Sequence, residues 1–488
     1  MDVTQTTFSQ PPYDRRGLST GIVHFGVGGF HRAHQAMYVD RLLGRGGARE
    51  WGICGVGVLP GDRRMRDVLT AQDGEYTLSA IGPDGGWDTR TIGSIVEYLY
   101  APDDPEAVLA KLADPGTRIV SLTITEGGYG VAPATGEVDA DHPALAADAA
   151  PNTGPTTVFD YIVESLARRR ARGLVPFTVM SCDNVQGNGE VARTAVASVA
   201  RRRAPEFADW IAAHVCFPNS MVDRITPVTP PEAEAEVLRR YGIRDRWPVL
   251  TEPFTQWVLE DSFSLGRPAF EEVGVQIVDD VAPYELMKLR LLNASHQGLA
   301  YFAYLCGYRL VDEAARDPLF ERFLLRYMRS EAAPTLRPVP GVDLDRYQRT
   351  LIERFANPAI GDTVARLCAE SSDRIPKFVL PVVRERLAAD GEIDCAAAIV
   401  ASWARYAEGV DEQGAPIEVV DPLRDRLMPL ARRQREDPTA FLTDRTVFGD
   451  LVDQPRFVAA YTAVLKSLHT RGARATLSDL LGDGPRLE

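Results

Sequence analysis

A glycine-rich turn between an apolar strand and a helix constrains the fold of this 488-residue chain more than any other feature. Residues 21–28 read Gly-Ile-Val-His-Phe-Gly-Val-Gly, and a helical pattern follows over residues 35–43. Gly26, Gly28 and Gly29, with Phe30, would let backbone N–H groups approach a pyrophosphate at a helix N-terminus. His31 occupies the place of the last glycine in the full Gly-x-Gly-x-x-Gly fingerprint, so the motif is incomplete. The pattern predicts a dinucleotide-binding α/β domain.

Acidic residues follow two further predicted strands. Residues 51–59 resemble a second buried strand, and Asp62 comes soon after it. An acid there can accept the ribose hydroxyls of NAD and repel the 2′-phosphate of NADP. Asp62 could instead be a simple turn residue, and Arg63 and Arg64 beside it would suit NADP. Residues 118–125 form a third predicted strand that ends at Glu126, a candidate neighbour of cofactor or substrate because ligands gather at strand C-termini.

Two other polar residues of the first domain are candidates for a site. A strand over 176–180 leads into Ser-Cys-Asp-Asn, so Asn184 could bridge a substrate oxygen and the nicotinamide, or could cap a turn. Asp223 either pairs with Arg224 or accepts substrate hydroxyls, and the sequence does not choose between these roles. Segments 248–258 and 275–280 are predicted short strands that close this domain, residues 1–282. We expect residues 1–18 to form an arm and 131–157 a long surface loop.

A helical pattern dominates from residue 283 to 488, with Pro/Gly breaks near 334–341, 357–361 and 375–381. Its first long helix contains Lys-Leu-Arg-Leu-Leu-Asn-Ala-Ser-His, residues 288–296. On a regular α-helix, Lys288, Asn293 and His296 would share an arc of about 140°. An amine, an amide and an imidazole together could deprotonate an alcohol and hold its oxygen. The alternative is a half-exposed helix whose polar side meets water.

Composition excludes several classes of protein. A net charge of −14 disfavours binding to nucleic acid or to an anionic membrane and favours a small-molecule partner. The six cysteines are scattered, without a Cys-x-x-Cys, and indicate reduced thiols in a cytoplasmic protein. Cysteine and histidine show no spacing typical of a metal site, so we expect no metal. There is no secretory leader and no run of 18 apolar residues, so we expect a soluble protein that is not exported.

Four motifs together resemble the polyol-specific long-chain dehydrogenase/reductase family over nearly the whole chain. They are Gly-Gly-Phe-His-Arg-Ala-His (28–34), Ser-Cys-Asp-Asn (181–184), Met-Val-Asp-Arg-Ile-Thr-Pro (221–227) and the Lys–Asn–His motif (288–296). The resemblance implies a Rossmann-like NAD-binding domain followed by a mostly α-helical catalytic domain. It also implies metal-free oxidation of a secondary alcohol of a polyol to a ketose, such as D-mannitol to D-fructose, or of D-arabinitol.

The resemblance further implies a role for each matching residue. Lys288 would be the general base, and Asn184 and Asn293 would hydrogen-bond the reacting oxygen. His296 would orient the hydroxyl, and Glu285 would pass the proton to solvent. The remaining implied contacts are with substrate hydroxyls and involve Asp223, Arg366 and Arg374. The family often has Lys in place of Arg374 and Asp-Gly-Ser in place of residues 370–372, so these last contacts rest on weaker matches.

Other functions compete with this interpretation. A hexuronate reductase of the same superfamily would need cations such as Arg366 and Arg374 for the substrate carboxylate. Tyr284 and Lys288 form the Tyr-x-x-x-Lys pair of short-chain dehydrogenases, but here the pair falls at the start of a domain, so we set it aside. A zinc alcohol dehydrogenase lacks a ligand set, and a catalytically silent NAD sensor would not need the Lys–Asn–His set. We expect a monomer or a weak homo-oligomer.

Overall fold

The computed structural model describes residues 11–130, 139, 142 and 154–482. The predicted arm therefore lies partly, and the predicted loop at 131–157 mostly, outside the described residues. The chain divides into two compact units, Met1–Ala282 and Pro283–Glu488.

The first unit contains eleven strands among its described residues. They are β1 (Thr20–Phe25), β2 (Gly52–Gly57), β3 (Tyr76–Ile81), β4 (Trp87–Ile92), β5 (Ile95–Tyr100), β6 (Ile119–Leu122), β7 (Thr178–Ser181), β8 (Ser220–Asp223), β9 (Val249–Thr251), β10 (Gln256–Glu260) and β11 (Gln276–Val278). Its helices are α1 (Gly29–Ala33), α2 (Gln35–Leu43), α3 (Arg63–Ala71), α4 (Pro105–Leu112), α5 (Val158–Ala171), α6 (Asn188–Arg203), α7 (Pro205–His214) and α8 (Ala233–Tyr241).

A five-stranded sheet with the order β5-β2-β1-β6-β7 forms the centre of this unit, and every pair in it is parallel. Its inner strands are apolar runs with almost no polar alternation, and β2, β6 and β7 are buried along their whole length. Such runs are typical of a parallel sheet whose two faces are both covered by helices. The predicted dinucleotide-binding α/β domain is therefore confirmed as a Rossmann-like sheet.

Two small sheets accompany the parallel one. The hairpin β3–β4 is antiparallel and pairs with β9, while β8, β10 and β11 form the other sheet. The predicted strands at 248–258 and 275–280 exist, but they belong to these separate sheets. The hairpin at Tyr76–Ile92 was not predicted, because its exposed, polar second strand carries little of the apolar signal of a buried strand.

The secondary structure of the second unit, over its described residues, is helical apart from isolated bridges, and loops join the helices. Its α-helices are α9 (Ala282–Met287), α10 (Ala294–Leu305), α11 (Val311–Ala315), α12 (Pro318–Arg326), α13 (Leu344–Phe355), α14 (Val364–Cys368), α15 (Ser371–Phe378), α16 (Leu380–Ala388), α17 (Asp394–Tyr406), α18 (Arg424–Arg433), α19 (Arg445–Phe448), α20 (Pro455–Arg471) and α21 (Ala473–Leu481). Two π-helical segments, Lys288–Asn293 and Tyr327–Ala332, interrupt this pattern.

All three predicted breaks of the helical pattern are present. Short 3₁₀ turns or loops do separate helices near 333–343 and 357–361. Near 375–381, α15 includes Pro376 and ends at Phe378, and α16 begins at Leu380. Among the described residues no helix is both long and apolar enough to cross a membrane. All six cysteines are free, four of them buried and Cys216 and Cys306 partly buried.

Candidate active site

The glycine turn has the geometry that a dinucleotide requires. Gly26 has φ of +89°, and a Cβ atom there would lie 2.0 Å from the carbonyl oxygen of Thr123, so only glycine fits. At Gly28 and Gly29 an added Cβ would meet nothing closer than 3.7 Å, which leaves the start of α1 open in front of the backbone. This bare strand-to-helix turn fits the diphosphate of a dinucleotide, which needs close approach of backbone N–H groups.

His31 stands at the position of the last glycine of the fingerprint, and its side chain packs differently from a glycine there. Its ring is buried and stacks on the ring of His24, with centroids 3.5 Å apart. The His24 nitrogens lie 2.8 Å from Ser121 Oγ and 2.9 Å from Thr123 Oγ1, which belong to the neighbouring strand and its C-terminal extension. Among the described residues neither nitrogen of His31 has a hydrogen-bond partner. In the glycine fingerprint, helix and strand approach closely; here a pair of imidazoles fills that space.

This histidine pair should make the protein sensitive to acid. Burial lowers the pKa of His24 to about 3 and that of His31 well below its usual value, so both rings are neutral in the folded chain. An unfolded histidine has a pKa of about 6.5 and binds a proton below it. The stability contributed by the neutral rings is therefore present above pH 6.5 and is lost as the pH falls, by about 1.4 kcal/mol per pH unit for each ring.

We expect His31→Phe, which keeps the stacked ring, to reduce the pH dependence of the free energy of unfolding between pH 6.5 and 5. Urea unfolding followed by tryptophan fluorescence measures it. The exposed His214, changed to Gln, serves as the control and should leave the slope as in the wild type. An unchanged slope in His31→Phe would mean that the ring is already protonated in the folded protein.

Asp62 lies in the 3₁₀ turn Pro60–Asp62 directly after β2. Its Oδ2 accepts hydrogen bonds from the backbone N–H groups of Val58 at 2.9 Å and Leu59 at 2.8 Å. The carboxylate thus fixes the turn, as the structural alternative required, and its negative charge remains at the end of the second strand. The guanidinium of Arg64 lies 4.0 Å from the centre of the Trp247 ring. An arginine held on an aromatic ring is less available to a 2′-phosphate.

Removing the charge of Asp62 should shift the cofactor preference towards NADP. Asp62→Asn keeps an oxygen that can accept from Val58 and Leu59, whereas Asp62→Ala loses both the charge and the turn contacts. We expect the ratio of kcat/KM for NAD over NADP to fall at least about tenfold in Asp62→Asn, since one lost repulsion of about 1.4 kcal/mol corresponds to that factor. Equal ratios in wild type and both variants would show that Asp62 has a purely structural role.

The C-terminal ends of β6 and β7 are tied together by Asp183, a residue whose importance the sequence did not reveal. Its carboxylate accepts hydrogen bonds from the N–H groups of Ile124 at 3.0 Å and Thr125 at 2.9 Å, and from Tyr129 Oη at 2.6 Å. Burial raises the pKa of this carboxyl group. Thr125 has φ of +65°, so the chain is strained where Asp183 holds it. The tether fixes the exposed residues on either side of it, Glu126 and Asn184.

Asp223 is buried at the end of β8. The next side chain, Arg224, donates from Nε and Nη2 to the carbonyl oxygen of Glu252 and from Nη1 to that of Ala33. The arginine therefore joins α1 to the loop after β9. A role of Asp223 in substrate binding stays a prediction.

In the helical unit, Lys288 and Asn293 lie at the two ends of a π-helical segment. Each is only 8% exposed, so the predicted alternative of a helix side that faces water is wrong. The prediction of a regular α-helix is also wrong over these six residues. A π-helix bonds residue i to residue i+5, so one wide turn separates Lys288 from Asn293, and the arc between them is narrower than the one expected from α-helical geometry. Such segments often occur at functional sites.

The side chain of Arg290 links the π-helical segment to α16 and to Thr335. This buried side chain forms a forked ion pair with Glu385, at 2.9 Å and 2.6 Å, and donates to the carbonyl oxygen of Thr335 at 2.8 Å. Burial and bidentate geometry make this the kind of ion pair that fixes a backbone in place.

The hydroxyl of Tyr284 donates to the carbonyl oxygen of Pro340 at 2.8 Å, and burial raises the pKa of this tyrosine. A tyrosine with this partner and a raised pKa is unsuited to the acid–base role of a short-chain dehydrogenase.

Asn293 carries a buried donor that lacks a partner. Its Nδ2 forms no hydrogen bond with any described residue. Leaving such a group unsatisfied costs about 1–3 kcal/mol, so a buried amide in this state suits an external acceptor. One turn further, the ring of His296 lies 4.3 Å from the ring centre of Phe355, which restricts its orientation. Glu285 is partly buried in α9, one turn before Lys288.

Arg366 and Arg374 are engaged within the helical unit. Arg366 forms a two-point ion pair with Asp362, with Nε 2.6 Å from Oδ1. Arg374 donates to the carbonyl oxygens of residues 366 and 367 at 3.1 Å and 3.3 Å and pairs with Glu370 at 3.3 Å. The same stretch is linked to α10 because Tyr301 Oη lies 2.7 Å from Ser371 Oγ. Both positive charges therefore already have carboxylate partners.

The fold and these residues define a class of protein. A parallel sheet with an open glycine turn and an acid after its second strand is a dinucleotide-binding unit. A buried amine one π-turn from a buried amide whose Nδ2 has no partner among the described residues is suited to moving a proton and holding an oxygen. Among the described residues no group of three or more His, Cys, Asp or Glu side chains could hold a metal ion. The class is that of dinucleotide-dependent dehydrogenases with a helical second domain.

Comparison with known proteins places the chain more narrowly. The mannitol dehydrogenase Rossmann domain matches residues 20–272, and the mannitol dehydrogenase C-terminal domain matches residues 280–469. The chain belongs to the mannitol dehydrogenase family, which confirms the resemblance to the polyol-specific long-chain dehydrogenases.

Individual relatives agree with this membership. Mannitol 2-dehydrogenase of Phaeosphaeria nodorum is 48% identical over 96% of this chain and 82% of its own length. That of Aspergillus fumigatus is 47% identical over 96% of this chain and 94% of its own. The structure of Pseudomonas fluorescens mannitol 2-dehydrogenase in a ternary complex with NAD and D-mannitol superposes with a TM-score of 0.87 at 45% identity, covering 97% and 96% of the two chains. A substrate-free D-sorbitol dehydrogenase gives 0.88 at 39% identity, covering 96% and 97%.

Proposed function

We propose that this protein is an NAD-dependent polyol dehydrogenase that oxidises D-mannitol to D-fructose without a metal ion. The observation that carries the proposal is the buried Nδ2 of Asn293, which has no partner among the described residues and lies one π-turn from Lys288. Support for the substrate comes from relatives named mannitol 2-dehydrogenase at 45–48% identity. The six free cysteines favour a reducing, cytoplasmic environment.

NAD⁺, when bound, would accept the hydride from the carbon that bears the reacting hydroxyl. The open backbone at Gly28 and Gly29, with Gly26 and Phe30 beside them, would hold its diphosphate. Asp62 would accept the ribose hydroxyls. Glu126, which follows β6 at the same edge of the sheet, would lie near the nicotinamide end.

Lys288 would remove the proton of the substrate hydroxyl, because a neutral amine is a base and its buried position excludes competing water. As the C–H bond breaks, the alcohol oxygen becomes a carbonyl oxygen, and hydrogen bonds from Asn293 and Asn184 would stabilise the negative charge that develops on it. His296, restrained by Phe355, would orient the hydroxyl. Glu285 would pass the proton from Lys288 to solvent.

The pairing of the two arginines favours a neutral substrate over a hexuronate. A substrate carboxylate would need an unpaired cation, but Arg366 is held by Asp362 and Arg374 by Glu370. An arginine paired in this way can still donate to a hydroxyl through its remaining N–H groups. We therefore assign Arg366, Arg374 and the buried Asp223 to the distal hydroxyls of a polyol.

A substrate panel tests the proposal. NAD⁺ is mixed with D-mannitol, D-sorbitol or D-arabinitol, and NADH formation is followed by absorbance; D-fructose and D-fructuronate are reduced in the reverse direction. We expect the highest kcat/KM with D-mannitol and D-fructose and no change of rate with a metal chelator. A higher kcat/KM with D-fructuronate would identify a hexuronate reductase, and bound NAD⁺ without turnover of any substrate would indicate a silent sensor.

A further inference from the structure

A cavity lies within the first unit, between α2 and the hairpin β3–β4. Its volume is about 370 Å³, within the range of small-molecule sites. Met37 and Arg41 face it from α2 because they are four residues apart and share one side of the helix. Cross-strand partners on one face of the hairpin, Leu78 with Arg90 and Ala80 with Asp88, provide the opposite wall. None of these residues belongs to the site described above.

The inner wall of this cavity is positively charged. Arg41 and Arg90 are half-buried, and neither forms an ion pair or a hydrogen bond with any residue of the described ranges. The buried Arg224 lies at the cavity with its guanidinium held by the carbonyl oxygens of Glu252 and Ala33. Carbonyl oxygens do not neutralise its charge. Burial and, next, the positive charge of Arg90 lower the pKa of Arg41, while Tyr38, Asp88 and Asp40 act in the opposite direction.

The acidic residues of the cavity lie on its outer side. Asp84 and Asp88 are exposed, and Asp84 Oδ1 accepts from the N–H of Gly86 within the hairpin turn. They are not within ion-pair distance of Arg41 or Arg90. Half-buried cations without an anionic partner are costly. Arg41 lies 5.9 Å from the ring centre of Tyr38 but has no carboxylate partner among the described residues, whereas the half-buried Arg267 pairs with Asp261 and Glu271.

We propose that this cavity binds the phosphate group of a small molecule. Two guanidinium forks that face one space match the geometry and the double negative charge of a phosphate, and each can donate two parallel hydrogen bonds. The apolar side chains of Met37 and Leu78 and the ring of Trp87 line the rest of the cavity, which leaves room for an organic part of the ligand.

Inorganic phosphate and glycerol 3-phosphate are the probes. Binding is measured by calorimetry and by the fluorescence of Trp87, with Trp87→Phe identifying the source of the signal. Saturating NAD⁺ is present so that phosphate does not occupy the glycine turn. We expect saturable binding that weakens at least about tenfold in Arg41→Ala and in Arg90→Ala, since a lost hydrogen bond to a charged group corresponds to that factor or more.

Arg45→Ala is the matched control. Arg45 lies just beyond the end of α2 and pairs with Glu272 outside the cavity, so its loss removes the same charge nearby but no wall of the cavity. We expect it to leave the phosphate affinity within about twofold. Tighter binding of glycerol 3-phosphate would identify a phosphate ester as the ligand, and tighter binding of inorganic phosphate would identify the free ion. The proposal is overturned if neither probe binds saturably, or if folded Arg41→Ala and Arg90→Ala bind phosphate as the wild type does.

Discussion

Replacing Lys288 by alanine is expected to lower kcat/KM for polyol oxidation and for ketose reduction by about 100- to 10,000-fold, the usual contribution of a positioned general base or acid. NAD⁺ affinity should stay near that of the wild type, because the amine does not hold the cofactor. Lys288→Arg should be as inactive as the alanine variant, since an arginine keeps the positive charge but cannot give up its proton in a protein. A role based on charge alone would instead leave the arginine variant active.

The pH dependence provides the second readout for Lys288. Only the neutral amine accepts a proton, and an ordinary lysine has a pKa of about 10.4, so oxidation should rise with pH. Reduction needs the ammonium and should fall over the same range. Lys288 is one of only four lysines in the chain. The exposed Lys466, changed to alanine, is therefore a suitable control. Residual activity in Lys288→Ala with the pH profile of the wild type would rule out Lys288 as the base, whereas partial rescue by added small amines would support it.

Asn293→Ala should lower turnover by about 100- to 1,000-fold, the typical cost of losing one donor to a developing oxyanion. The melting temperature should change little, because Nδ2 of Asn293 has no hydrogen bond to a described residue that could be lost. Asn293→Asp, of similar shape, should lose a comparable amount of activity because its carboxylate cannot donate. We expect Asn184→Ala to show the same loss of turnover.

Asn188 serves as a structural control for Asn293, because its side-chain amide is fully hydrogen-bonded. Its Nδ2 donates to the carbonyl oxygens of Asp183 at 3.0 Å and Ser220 at 2.7 Å, and its Oδ1 accepts from the N–H of Ser220. Asn188→Ala should therefore lower the melting temperature clearly, as expected for a buried network left unsatisfied. If Asn293→Ala were destabilised to the same degree, or kept normal turnover, its assignment as an oxyanion donor would be wrong.

Regular, strongly patterned elements could be predicted from the sequence. The helix predicted over 35–43 has those bounds in the structure, and the apolar runs before Gly26, Asp62 and Glu126 are parallel strands. Burial on both faces produces continuous apolar runs, and glycine at positive φ has few alternatives, so both leave clear signals. The family motifs then identified the helical second domain. The roles of the individual site residues stay predictions.

Features that depend on contacts between distant residues could not be predicted. The tether from Asp183 to Thr125 joins residues 58 positions apart, and no local pattern marks it. The cavity between α2 and the hairpin needs the register of β3 with β4, which the exposed residues of β4 do not specify. The π-segment escaped detection because its residues have the composition of an ordinary α-helix.

That π-segment has a consequence for how the chain tolerates insertions and deletions. A single π-turn corresponds to an α-helix with one extra residue, so deleting one residue between Arg290 and Asn293 would allow a continuous α-helix with α10 unmoved. The deletion would remove a wide turn and would improve the regularity of the helix. Lys288 and Asn293 would then be four residues apart, about 40° around an α-helix, so both would stay on the same side of it. The extra residue therefore changes the width of the turn between the amine and the amide more than the directions in which they point, and the shorter chain is expected to fold at least as well.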